Sequence, residues 1–229
     1  MSASPTSGGF GAGFRAMVPL WMGVAPFGAA YAVTARAAGI DPVHTQLMSL
    51  LVFAGGAQFA AVGLIAAGAG PWTLISTTFL LNLRHLLYGV VVASTTEMRG
   101  GRRLLAAHLL TDEAFGVHVA HGRGRPAFLI GAGLSLFVVW NAATLVGSLL
   151  ARSLPEPHAI GLDIVFPLAF LALLVPLLRD HRTLAVAAIA GLGAWGLGAV
   201  LEPGAALLVA ATLAAAIGAA LPAAAREAP

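Results

Sequence analysis

Apolar windows of about 18 to 26 residues recur from end to end of this 229-residue chain, near 15–37, 44–67, 72–96, 104–121, 127–151, 160–178, 183–200 and 204–222. Each is long enough to cross a hydrocarbon layer of roughly 30 Å at about 1.5 Å per helical residue. A chain in lipid must satisfy its own backbone hydrogen bonds, which makes helices the default spanning element. With 59% hydrophobic residues, 9% charged residues and a mean hydropathy of +0.91, too little polar surface remains for a water-soluble domain. The expected fold is all-α, a polytopic membrane helix bundle of about 6–8 hydrophobic segments in contact with lipid, some of them broken or re-entrant. Residues 1–14 read as a flexible lead-in, 15–222 as a single transmembrane domain and 223–229 as a short tail.

The formal charge of +3 and the isoelectric point near 10.6 do not point to nucleic acid, because every basic residue is arginine and most stand in short gaps between apolar runs. That pattern reads as membrane topology. The absence of cysteine excludes disulfides, thiolate catalysis and Cys-based metal sites. The N-terminus lacks a charged region followed by an apolar core, so no cleaved signal peptide is expected.

Two windows are abnormal. Segment 15–37 carries Pro19 and Pro26 with Gly23 and Gly28 beside them, which removes backbone hydrogen bonds and predicts a break around Pro26 to Gly28. Segment 104–121 holds Asp112 and Glu113 at its centre. If it crosses fully, the arginines on its two sides face opposite compartments. If it dips in and returns, Arg36, the Arg99/Arg102/Arg103 group, Arg123 and Arg125, Arg179 and Arg182, and Arg226 share one face, and Arg152 stands outside. The second reading satisfies the positive-inside rule and places the shared face in the cytoplasm. The side of the N-terminus stays open.

Polar residues at depth narrow the candidates for function. In "TTFLLNLRHLLYG" (77–89), helical spacing puts Asn82 and His85 in one stripe with Thr78, Gly89 and Thr96, and turns Arg84 and Tyr88 nearly the opposite way. The stripe lines a cavity or bonds a neighbouring helix. Arg84, too deep to snorkel, demands a partner and predicts a structural charge network with Asp112 or Glu113. In "SLLVFAGGAQFAAVG" (49–63), Ser49, Gly56 and Gly63 repeat at seven-residue intervals, with Gly55, Gly56 and Gln58 at the middle. Either the helix packs closely there, or it unwinds and offers backbone groups and the Gln58 amide to a ligand. Thr111 fits an N-cap with Asp112 and Glu113 in the first turn, so a helix starts inside the apolar zone. Asn141, Thr144 and Ser148 read as packing contacts, as do the small residues Ala190, Ala194 and Gly198. Asp163 reads as a helix-start carboxylate. His118 and His121 have metal-compatible spacing without an evident third ligand, so no metal and no other cofactor is assigned.

The ordered motifs "PLWMGVAPFG" (19–28), "MSLLVFAGGAQF" (48–59), "NLRHLLYG" (82–89), "LTDEAFGV" (110–117) and "GLDIVFPLAFLALLVP" (161–176) resemble the AzlC family over roughly residues 15–180. The resemblance implies export of branched-chain amino acids, methionine and related small apolar amino acids across the bacterial inner membrane. It also implies a small hydrophobic companion subunit of the AzlD type. Since the chain has no GxxxxGK[ST] phosphate loop, a gradient-driven secondary exporter is the consistent form. The expected substrate cage combines Pro26, Phe27 and Gly28 with Gly55, Gly56 and Gln58 and with Asn82 and His85. Two other classes compete. One is a non-transporting assembly or sensor subunit whose polar stripes bind only the companion. The other is an intramembrane enzyme using Asp112 and Glu113 as a carboxylate pair, or Ser135 as a nucleophile. Adjacent helical residues point about 100° apart and Ser135 lacks a G-x-S-x-G elbow, so the chain is not read as an enzyme.

Overall fold

The computed structural model describes residues 8–122, 124–153, 171, 174–175, 178, 180–201 and 203–220, and no strand occurs among them. Segment 160–178 with Asp163, the first half of the lead-in, the tail, and Arg123, Arg179 and Arg226 lie largely or wholly outside the described residues. The chain opens with α1 (Phe10–Met17), a 3-10 turn (Val18–Leu20) and α2 (Trp21–Ala37). The break of this first segment therefore falls beside Pro19, not around Pro26 to Gly28, and Pro26 is accommodated inside α2. A tight 3-10 turn takes proline at its start without losing a bond, whereas Pro26 interrupts only one rung of a helix held by its neighbours.

Then follow α3 (Pro42–Leu51), α4 (Gly55–Ala66), α5 (Pro71–Thr95), α6 (Gly100–His108), α7 (Asp112–Val117) with a π turn at His118–Gly122, and α8 (Pro126–Leu150). Only Phe10–Ala37, Pro71–Thr95 and Pro126–Leu150 are long and apolar enough to span a bilayer among the described residues. Their directions follow from contacts. Along α2 and α8, Trp21 Nε1 donates to Ser135 Oγ at 3.0 Å, Gly28 meets Trp140 and Ala143, and Ala29 and Ala32 meet Gly147. These pairs advance together, so the two helices run parallel. The approach at Gly147 is close enough that a Cβ would stand 2.4 Å from the Ala29 carbonyl oxygen. On α5, Val92 clusters with Leu129 near the start of α8, whereas Arg84 shares a cavity with Leu136 and Trp140 further along it. Helix α5 thus runs opposite to α2 and α8.

Neither broken segment between these spans crosses. The pair α6–α7 leaves from the end of α5 and returns beside it: Gly124 lies against the Thr95 carbonyl, and Thr96 Oγ1 meets His118 Nε2 at 3.2 Å. Its turning point packs Leu109 on Gly133, part-way down α8. This is the dip that the arginines predict. The pair α3–α4 does the same from the other side, because α2 ends, and α5 begins, at the far end of α8. Asp41 caps its start by accepting from the amides of Val43 and His44, and the adjacent His44 ring together with those amides holds the Asp41 carboxyl below its usual range. Segment 44–67, read from its length as a crossing, is re-entrant. One correction follows: Arg36 stands at the Arg152 end, while Arg15, Arg99, Arg102, Arg103 and Arg125 gather at the opposite one. Removing one crossing moves everything before it to the other face, and the bias toward a single face survives.

The chain thus repeats a unit in opposite orientations. Each unit is a helix broken at its middle followed by a straight helix of 25 residues with proline at its first position. Beyond the repeat, α9 (His181–Leu197) and α10 (Pro203–Ala220) form an antiparallel hairpin in which Gly193 meets Ala210, Gly218 meets Val186, and Arg182 Nε bonds the Gly218 carbonyl at 3.1 Å. The small-residue contact anticipated on α9 is present, but its closest approaches use Gly193 and Gly218, and Gly198 ends the helix. Because the chain has no cysteine, single cysteines report topology without background. Labels at Ala37 and Gly70 are expected to react from one side of sealed vesicles, and labels at Gly101 and His121 from the other. Reaction of Ala37 and Gly70 from opposite sides overturns the double re-entrant arrangement.

Candidate functional site

The two re-entrant tips meet near the middle of α5. At the first, Phe53 takes a left-handed φ of 44°, a conformation costly for a bulky residue, and α4 starts with Gly55. Ala54 supplies no side-chain cap, and the first bond onto it is Gln58 N–H to the Ala54 carbonyl. The Gly55, Gly56 and Ala57 amides therefore lie outside the helical ladder, at the positive end of the α4 dipole. The tip is tight at Gly55 and less so at Gly56. A Cβ on Gly55 would stand 2.9 Å from Trp140 Cη2, and one on Gly56 would stand 3.4 Å from Arg84 Nη2.

At the second tip, Thr111 Oγ1 accepts from the Ala114 amide at 3.3 Å, so Thr111 caps α7 and puts Asp112 and Glu113 in the first turn. Arg84 reaches across from α5, its Nη1 3.0 Å from Asp112 Oδ2. The pair is not sealed in: the two side chains remain 38% and 40% exposed. Their inner atoms are unsatisfied, since Arg84 Nε and Asp112 Oδ1 are buried without a hydrogen-bond partner. Tyr88, one turn along α5, stacks on Phe115 with ring centroids 4.4 Å apart and so fixes α7 against α5.

Between the tips lies a cavity of about 460 Å³, within the range of small-molecule sites. Its polar end is formed by Arg84, Thr111, Asp112 and Glu113, and its apolar wall by Phe53, Phe59, Leu136 and Trp140. Leu20, at the end of the 3-10 turn, and Gly23, Val24 and Phe27 of α2 close it, their i, i+3, i+4, i+7 spacing defining one helical face. The site is an apolar chamber with opposite charges at one end.

The residues expected in a ligand cage divide. Phe27, Gly55 and Gly56 line the cavity, and so do Arg84, Asp112 and Glu113, which the sequence suggested as a structural network. Pro26, Gly28, Gln58, Asn82 and His85 do not line it. Gly28 is packed against Trp140 and Ala143. Gln58 is fully buried, with the Tyr31 hydroxyl as its polar neighbour. His85 meets the Asn82 carbonyl at 3.2 Å and packs edge-on against Tyr88, outside the cavity lining. The seven-residue spacing of Ser49, Gly56 and Gly63 loses its meaning, since the break at 52–54 puts Ser49 on a different helix, where it bonds Thr144 at 3.0 Å. Asn141 likewise packs, accepting from Gln46 Nε2 at 3.0 Å. Gly23 and Trp140 are among the lining residues that sequence reasoning missed, as are Val24, Phe53, Phe59 and Leu136; the α2 spacing was the available signal for Gly23, and nothing in the sequence pointed Trp140 at Gly55. No group of histidine, aspartate and glutamate suited to a metal ion occurs among the described residues.

Residues 19–154 match the family model described as AzlC protein. An uncharacterized membrane protein of Archaeoglobus fulgidus is 32% identical over 72% of this chain and 74% of its own length. The inner membrane protein YgaZ of Escherichia coli is 26% identical over 81% of this chain and 80% of its own. The branched-chain amino acid transport protein AzlC of Bacillus subtilis is 24% identical over 72% of this chain and 66% of its own. No solved structure matches.

Proposed function

The chain belongs to the AzlC family of membrane transport proteins, and we propose that it exports branched-chain amino acids, methionine and related small apolar amino acids across a bacterial inner membrane. The observation that carries this reading is the chamber at midspan, bounded by two half-helix tips that enter from opposite sides. Exposed helix ends at such depth suit a charged backbone group, and the aromatic and aliphatic wall suits a short apolar side chain. The carboxylate rests at the Gly55 and Gly56 amides beside Arg84, with the side chain among Phe27, Phe53 and Phe59. The cage is thus proposed around Arg84 and not around Asn82 and His85.

Transport is driven by a gradient and involves a small hydrophobic companion subunit of the AzlD type. Flux into proteoliposomes carrying the chain with and without the companion tests this. Leucine uptake is expected to saturate, to be competed by valine, isoleucine and methionine, and to ignore lysine and glutamate. A folded complex that binds the companion and moves none of these amino acids would be an assembly or sensor subunit instead.

A further inference from the structure

A carboxylate on an apolar tail would need only the donors of this cavity, yet the lining also presents acceptors. The donors are the Gly55 and Gly56 amides and the Arg84 guanidinium, whose Nη2 lies beside Gly56. Trp140 turns the carbon tip of its six-membered ring toward Gly55 and so walls this end of the cavity. The acceptors are Glu113, exposed in the lining and without an ion pair among the described residues, and the Asp112 carboxylate, which Arg84 and the Tyr88 hydroxyl already flank. Arg84 already neutralises Asp112, so the lining carries one negative charge in excess. A second anion entering alone would deepen that excess in a low-dielectric site, whereas a ligand that brings its own ammonium cancels it.

We infer that Glu113, with the Asp112 carboxylate beside it, holds the substrate's ammonium group, so that the site reads both charges of a zwitterion. The Arg84–Asp112 pair stays closed and joins the two halves of this recognition: its guanidinium side serves the carboxylate, its carboxylate side the ammonium. The inference rests on the substrate class proposed above and adds which side chains set its selectivity. Glu113 is a ligand here, not a staple.

Calorimetric binding to the complete chain in lipid nanodiscs tests this with three probes: leucine, leucinamide, which lacks the carboxylate, and 4-methylpentanoate, which lacks the ammonium. The wild-type chain is expected to bind leucine at least tenfold more tightly than either analogue. Glu113→Gln is expected to weaken leucine about tenfold and to leave 4-methylpentanoate unchanged or tighter, while Glu113→Asp recovers part of the leucine affinity. Thermal unfolding of each variant verifies that the fold is kept. If wild type binds 4-methylpentanoate as tightly as leucine, or Glu113→Gln binds leucine as wild type does, the ammonium assignment is wrong while amino acid transport stands. If the wild-type chain neither binds nor moves leucine with its companion present, the substrate class fails and takes this inference with it.

Discussion

Gly23→Leu is expected to abolish leucine transport while leaving the protein assembled. Gly23 occupies the centre of the α2 face that lines the cavity, between Leu20 and Phe27, and nothing lies within 4 Å of the place its Cβ would take. The added side chain therefore meets no backbone and extends into the chamber. Exchanging glycine for leucine inside a helix also favours the helix by about 1 kcal/mol, so loss of function cannot be ascribed to a weakened fold. Filling part of a 460 Å³ space should reduce leucine flux at least tenfold, equivalent to about 1.4 kcal/mol of binding, with Gly23→Ala giving a smaller loss and a shift toward smaller substrates. Flux in proteoliposomes and thermal stability measured on the same preparation separate the two effects. Unchanged leucine transport in an assembled Gly23→Leu protein would show that the chamber is not the substrate site.

The opposition of faces on α5 was legible, because a helical wheel needs only sequence. Arg84 and Asn82 do point apart, and Arg84 does find Asp112. Which face meets the cavity was not legible, because a wheel gives relative angles while the neighbour of each face is set by tertiary packing. The polar stripe of Asn82 and His85 has the pattern of a cavity lining, but the α3–α4 and α6–α7 tips converge on the other side. Depth was misread for a related reason. A re-entrant hairpin and a crossing helix have the same hydropathy, and only residues that break a helix betray the first. Asp112 announced one tip through its charge. At the other, Gly55 and Gly56 were compatible with both packing and unwinding, and the feature that settles the matter, Phe53 in a left-handed conformation, follows no local preference.

The two tips differ in chemistry although they occupy equivalent places in the repeat. The α4 tip offers bare amides and glycines; the corresponding α7 positions carry Asp112 and Glu113 under a threonine cap. A symmetric backbone has thus acquired one electropositive and one electronegative end, and Arg84 sits between them from the middle of α5. This asymmetry lets an oppositely oriented repeat recognise a ligand whose own two charges are different.

Arg84→Ala is expected to lower both assembly and transport, and Asp112→Asn in the same chain should restore the first without the second. Removing one member of a buried pair costs about 3–5 kcal/mol, because the other is left charged without a partner. With the two side chains 38% and 40% exposed to the cavity, water screens part of that loss, and roughly 1–3 kcal/mol is the reasonable range here. Asn in place of Asp112 keeps the shape of the α7 start and removes the stranded charge, so the double variant should unfold closer to wild type than Arg84→Ala does. Transport should not return, since the guanidinium that faces the Gly55–Gly56 amides is absent in both. Thermal unfolding and leucine flux on the single and double variants resolve this. If Arg84→Ala is as stable as wild type, the pair does not tie the second tip to α5; if the double variant transports leucine normally, Arg84 supports the fold alone and the carboxylate is held by the α4 amides without it.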